Sequence, residues 1–332
     1  ECAPGLGGAD LFLANGSRLY GDCLEHPELA TPECRRPSDV VRYIAAGELL
    51  LQRLCEMHRA RSSAGEAITL FRSNVDYGAR TTWGCHESYL TRRPPGEFVG
   101  DLVPHLISRL IYSGAGGFDP GAPGLVPVLS PRAFYLRRVA SAGSTAGRGI
   151  FHTKDENLCR TDDHRLHLIC GESLCSHLAA YLKCGTTALV IALIDHGGEP
   201  GAAVRPRGPV SAMHAISNDL TCRRRVPLRD GGPASALQIQ RHYLEAVRAH
   251  LGAEWMPDWA EQVLDTWDEV LQRLEAGPDA VQDRLDWAIK LALFRQHAEF
   301  RGLPWSRIPV LSQAARMEAM AAKFPQLARD LV

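Results

Sequence analysis

With 332 residues, 45% of them hydrophobic and 23% charged, the chain has an ordinary globular composition and is long enough to bury a sizeable core. Its net charge of −1 gives no electrostatic reason to bind nucleic acid or an anionic membrane surface. The longest apolar run, residues 188–194, is far short of the ~20 residues of a membrane span, and no signal peptide is read at the N-terminus, so a soluble cytoplasmic protein is expected.

In chain order, the first informative stretch is residues 11–34. A β-prone segment at residues 11–13 breaks at Asn15-Gly16, a strong turn signal, and resumes as Ser17-Arg18-Leu19-Tyr20. On the resumed strand Arg18, Tyr20 and Asp22 share one face at period two, with His26, Glu28, Thr31 and Glu33 close behind. An arginine, a phenol and a carboxylate side by side suit a phosphate, a metal ion and a proton acceptor. Ser38 can cap a helix starting at Asp39 and running to about Arg59, with Val40, Val41, Ile44, Ala45 and Leu49 on one face. After a polar loop at residues 61–66, residues 67–75 read as a strand that delivers Asn74 and Asp76 to a loop. The next segment, rich in Gly and Thr, ends in His86-Glu87.

Residues 98–112 read as a helix carrying Leu102, Leu106, Ile107 and Leu110, and residues 113–131 as Gly- and Pro-rich turns. The run Gly114-Ala115-Gly116-Gly117 is a weak phosphate signal, since it lacks the Lys-Ser/Thr of a P-loop and opens no helix after a strand. Residues 147–154 form a candidate strand ending in Lys154-Asp155-Glu156. Residues 165–169 form another, with Arg165, His167 and Ile169 on one face and Leu166 and Leu168 on the other. A helix at residues 174–196 reads as core, and residues 197–209 as a linker. The run Arg223-Arg224-Arg225 reads as a solvated face. Three amphipathic helices follow at residues 235–251, 259–275 and 279–301, with Trp267 and Trp287 as core anchors.

The ten cysteines are scattered through a long chain and read as reduced thiols. Cys159, His164, His167, Cys170, Cys175, His177 and Cys184 crowd one segment that zinc could use, but their spacings contain no compact CxxC pair.

NGSRLYGD followed by HPELATPEC resembles the signature of the Pup ligase and Pup deamidase/depupylase family, PafA and Dop, which shares a carboxylate-amine ligase fold with glutamine synthetase. NVDYGARTTWGCHESYL, IFHTKDEN, HRLHLICGES, LKCGTTALVIALI, AMHAISND and LDWAIKLAL continue the resemblance in order, from about residue 11 to about residue 304. It implies an α+β fold with a curved, mostly antiparallel sheet carrying the site, helices behind it, and a helical C-terminal region. The implied layout is a catalytic domain at residues 1–230, its helical part at 231–304, and a divergent tail at 305–332.

By the same resemblance the cofactors are ATP and Mg²⁺. Arg18, Thr31, His86 and Arg165 would contact ATP, Tyr20, Glu28 and His167 would sit at the metal, and Asp22 would be the catalytic proton acceptor or nucleophile. The implied partners are Pup and pupylated proteins, without nucleic acid or membrane. The implied activity is that of a deamidase/depupylase. The alternatives are a Pup–protein ligase, a divergent phosphatase, or a non-catalytic Pup-binding scaffold. The spacing of Asp22 and Glu28 is ligase-like, whereas GTTALV, HAIS and the Asn74-Val75-Asp76 loop are more hydrolase-like. Lys154 stands where relatives carry Arg, which keeps charge but loses the bidentate fork. Trp83, Asn157 and Glu172-Ser173 also depart from both branches. Relatives begin with an E-x-E strand and end in a small C-terminal domain. The chain is therefore expected to be a fragment, weakly active at best.

Overall fold

A computed structural model describes residues 11–21, 26–62, 68–122, 125–143, 147–153 and 163–300, which fall into two compact units parted after Phe71. In the first unit, strands β1 (Leu11–Phe12), β2 (Arg18–Gly21) and β3 (Pro27–Ala30) form an antiparallel meander. The expected turn is there. Gly16 has a φ of +85°, a region open to glycine at no steric cost, and Asn15 Oδ1 accepts from the Ser17 amide at 3.0 Å. Helix α1 (Pro37–Arg61) backs this meander, with Gly47 packed so closely on Leu29 that a Cβ would lie 2.0 Å from its Cδ2. The helix starts two residues earlier than expected. Pro37 occupies its first turn, where a missing N–H costs nothing, and Ser38 lies inside the helix without capping it. Of the expected apolar face, Val40, Val41, Ile44 and Ala45 are half-buried and Leu49 is exposed.

The second unit is α+β. Short strands β4 (Val75–Asp76) and β5 (Thr81–Thr82) pair as a hairpin. Strands β6 (Glu87–Thr91), β9 (Arg138–Ser141), β10 (Gly149–His152) and β11 (His164–Leu168) make a sheet in the order β6-β11-β10-β9. That sheet is antiparallel except for the parallel β9–β10 pair. The Gly/Pro segment holds the hairpin of β7 (Gly117–Phe118) and β8 (Pro127–Val128). Its glycines serve packing: a Cβ on Gly114 would lie 2.3 Å from the Leu129 carbonyl oxygen, and one on Gly116 2.5 Å from the Trp287 backbone.

Helices α2 (Val99–Ser108), α3 (Leu110–Ser113) and α4 (His177–Asp195) lie behind the sheet. They are joined by α5 (Pro209–Ser217), then, beyond the β12 (Arg225–Val226) and β13 (Ala234–Ser235) pair, by α6 (Ala236–Arg248), α7 (Ala260–Ala276) and α8 (Asp286–Phe300). Leu106, Leu189, Leu244, Tyr243 and Trp267 are fully buried among them, and Trp287 donates its indole N–H to the Ile111 carbonyl at 2.9 Å. Helix α4 is long and apolar enough to cross a membrane by length and composition, but 67% of that span is buried inside the protein, as in a core helix.

Three further expectations are corrected. Residues 68–74 form no strand. Instead Asn74 exchanges hydrogen bonds with the Ser173 backbone at 2.7 and 2.9 Å, so local polar pairing replaces a ladder. Helix α5 was not anticipated, because Pro209 reads as the end of a linker whereas it opens a helix. The last helix starts at Asp286 rather than Asp279, since residues 278–281 wind as a 3₁₀ turn and the Asp286 carboxylate accepts from Cys175 and Ser176 at 2.7 and 3.1 Å.

Candidate functional site

In the first unit the site residues lie on one hairpin face. Arg18 pairs with Ala30 and Tyr20 with Glu28 across β2 and β3, so Arg18, Tyr20 and Glu28 point the same way, as period two requires. The Arg18 guanidinium carbon sits 4.3 Å from the Tyr20 ring centroid and 5.7 Å from that of Phe12, a cation–π arrangement. Thr31 follows directly after β3. Asp22 lies outside the described residues, as do Lys154 to Glu156 and Asn157.

In the second unit the sheet sorts its residues just as sharply. Strand register sets His167 opposite Ser88 and His152, and Arg165 opposite Leu90, so Arg165, His167, His152 and Ser88 share one face. Arg165 donates to Ser88 Oγ through Nε and one Nη at 3.0 and 2.9 Å. The His86 ring stands edge-on to that of His167 with centroids 5.2 Å apart, and the His152 ring is stacked on His167 at 5.0 Å and 11°.

His86 keeps exposed surface as a residue. Its imidazole is nonetheless held down to about 4, first by desolvation and then by the charges of His167, Arg132, His152 and Arg165. Near neutral pH it is therefore a neutral ring. Arg132, buried beneath this region, donates to the Ile169 carbonyl at 2.6 Å and to Thr82 Oγ1 at 3.1 Å. Burial draws its guanidinium down to about 10. Gly84 makes room for it, since a Cβ there would lie 2.5 Å from Arg132 Nη2.

The opposite face of β6 anchors the site. Glu87 is 7% exposed and is gripped by Arg109 at 2.5 and 2.9 Å, while the Tyr89 hydroxyl donates to it at 2.7 Å. Burial alone would push the Glu87 carboxyl up, but Arg109 and then Lys183 outweigh it and hold it below the ordinary range. Arg109 also donates to Thr187 Oγ1 and the Lys183 carbonyl of α4. Glu87 is thus a structural anchor, and the residue before it, His86, is the one presented on the site face.

The fit to an adenine nucleotide with its metal can be judged from these donors. Within the second unit Arg165 and His86 carry donors suited to phosphate oxygens and His167 a nitrogen suited to a metal ion; within the first unit, taken by itself, Tyr20 and Glu28 offer a phenol and a carboxylate oxygen on one hairpin face. Among the described residues no group of three or more His, Cys, Asp and Glu is placed to hold a metal ion. The described members of the Cys/His-rich segment likewise form no such cluster, and the described cysteines are free thiols. His152 and Arg132 escaped the sequence reading. The clue to His152 was the pairing of the strand ending at it with HRLHL, which a single strand's alternation does not reveal.

The sequence profile of the Pup-ligase protein family matches residues 4–323. A Pup deamidase/depupylase of Mycolicibacterium smegmatis is 34% identical over 333 residues, covering 99% of this chain and 65% of that protein. A Pup–protein ligase of Micrococcus luteus is 37% identical over 319 residues, covering 92% and 68%. The chain spans less than two thirds of the length of the first curated relatives it matches, 61% in one depupylase. The solved structure of the Pup ligase PafA in complex with ADP superposes with a TM-score of 0.77 at 26% identity, over 96% of this chain and 75% of that one.

Proposed function

The chain belongs to the Pup-ligase family, and from that premise we propose that it is an ATP- and Mg²⁺-dependent hydrolase that removes the terminal amide of Pup or cleaves the isopeptide bond between Pup and a protein lysine. The observation that carries the nucleotide part is the sheet face on which Arg165, His86 and His167 gather, in a fold like that of a ligase solved with ADP. When bound, Mg²⁺-ATP would supply phosphoryl activation of a carboxylate in the ligation direction; in the hydrolytic direction water adds to the amide carbonyl, the amine leaves, and the carboxylate is the product. The chain's residues would divide the work. Arg165 and Arg18 would each neutralise phosphate charge, and a neutral His86 would donate its single N–H to a phosphate oxygen without adding charge. By the family resemblance Tyr20 and Glu28 would supply oxygens to the cation, and Asp22 would receive the proton or attack.

Hydrolysis is preferred over ligation because GTTALV, HAIS and the Asn74 loop resemble the hydrolase branch. Ligation is the second reading, favoured by the interval between Asp22 and Glu28. Both are tested by intact-mass analysis of Pup ending in glutamine, of a Pup-conjugated protein, and of Pup ending in glutamate with an acceptor protein, each incubated with Mg²⁺-ATP. Deamidation or release that disappears in Asp22→Asn, with nucleotide binding kept, is the expected result. Conjugate formation instead would assign the ligase, and no change in any Pup species would remove the protein from Pup chemistry.

A further inference from the structure

We propose that His152 is a positioning residue that fixes the His167 imidazole for a nucleotide's phosphates or their metal ion, an inference that rests on the nucleotide site proposed above. Strands β10 and β11 are antiparallel and place the two residues directly opposite each other. The rings lie nearly parallel, with centroids 5.0 Å apart. Both residues are nearly enclosed, His152 at 7% and His167 at 9% exposure. His86 closes a second side, edge-on at 5.2 Å.

The position of His152 is itself set by backbone. Ile150 and Phe151 on the same strand are fully buried, β10 pairs with β9 and β11 on its two sides, and the Thr153 amide just beyond donates to the Ser141 carbonyl at 2.9 Å. A ring walled on one face and one edge has little rotational freedom, so its nitrogens keep fixed directions before any ligand arrives. That pre-organisation removes an ordering cost from binding. The wall requires a flat ring rather than an imidazole in particular, which makes phenylalanine the conservative replacement.

The test uses the whole chain as wild type, His152→Ala, His152→Phe and His167→Ala. One readout is the His167 ring-proton shifts in ligand-free protein by NMR. The other is the Kd for ADP with Mg²⁺ by calorimetry. His152→Ala is expected to move the His167 ring signals and weaken ADP binding by about ten-fold, the lower end of losses on removing a group that orients a ligating histidine. His152→Phe is expected to restore most of the affinity. Unchanged binding in His152→Ala while His167→Ala binds weakly would overturn the positioning role alone. Equal losses in His152→Ala and His152→Phe would also overturn it, because a flat ring would then not suffice. Wild-type binding that neither His152→Ala nor His167→Ala weakens would overturn the site reading and this inference together.

Discussion

Arg165 is held by two bonds to Ser88 Oγ at 3.0 and 2.9 Å, which fix its guanidinium on the sheet face it shares with His167. Arg165→Ala is expected to weaken ADP binding at least ten-fold, since charge-assisted hydrogen bonds contribute about 1.5–3 kcal/mol. Arg165→Lys should recover only part of the loss because a point charge replaces a planar fork. Calorimetric titration distinguishes these outcomes, and equal affinity in all three proteins would remove Arg165 from the site. The alternation of Arg165 and His167 against Leu166 and Leu168 was legible from residue types alone. The stacking of His152 on His167 was not, because it depends on which residue of a neighbouring strand comes into register.

The element that sets the site is β6, tied through Glu87 to Arg109 and through Arg109 to α4. Glu87→Gln leaves a buried guanidinium without its counter-charge, and the loss is expected to be about 3–5 kcal/mol, read as a lowered urea midpoint at unchanged slope. Gly171→Ala tests the same junction. Its Cβ would lie 2.5 Å from the Cys85 carbonyl oxygen and 2.6 Å from Glu87 Oε1, so a loss of about 1–3 kcal/mol is expected in the same assay. The sequence shows α4 as an element, whereas the strand β6 was not read from it. The ion pair joining the layers links residues 22 apart along the chain, Glu87 to Arg109, and was not readable from either segment.

On the scale of the molecule, the helical layer encloses a polar seam. His105 is wholly buried, with Nε2 3.1 Å from Thr187 Oγ1 and with the rings of Tyr243 and Trp267 packed edge-on against it. Burial first, and then the Arg109 charge, hold its imidazole well below the ordinary histidine range. The unfolded chain binds a proton at this histidine below about pH 6.5 and the fold does not. This contribution to stability is therefore fully present above that pH and is lost as pH falls below it. Urea unfolding at pH 7.0, 6.0 and 5.0 should show a steeper decline for the wild type than for His105→Gln, by up to about 1.4 kcal/mol per pH unit. Parallel declines would show that His105 gains its proton in the fold.

By itself the sequence determined what depends on local pattern: the Asn15-Gly16 turn, the facing of Arg18 with Tyr20, the alternation of residues 165–168, the core helix α4 and the amphipathic helices around Trp267. Collinear motifs added the family. Only the tertiary structure decided which partner each polar group took. Asn74 joined Ser173, and Glu87 turned to Arg109 while His86 faced the site. Prolines 37 and 209 proved to be helix starts, because a residue without an N–H is tolerated where no intrahelical bond is due, and the boundary is fixed by the packing beyond it. Periodicity states which way a side chain points, and the fold supplies what it meets there.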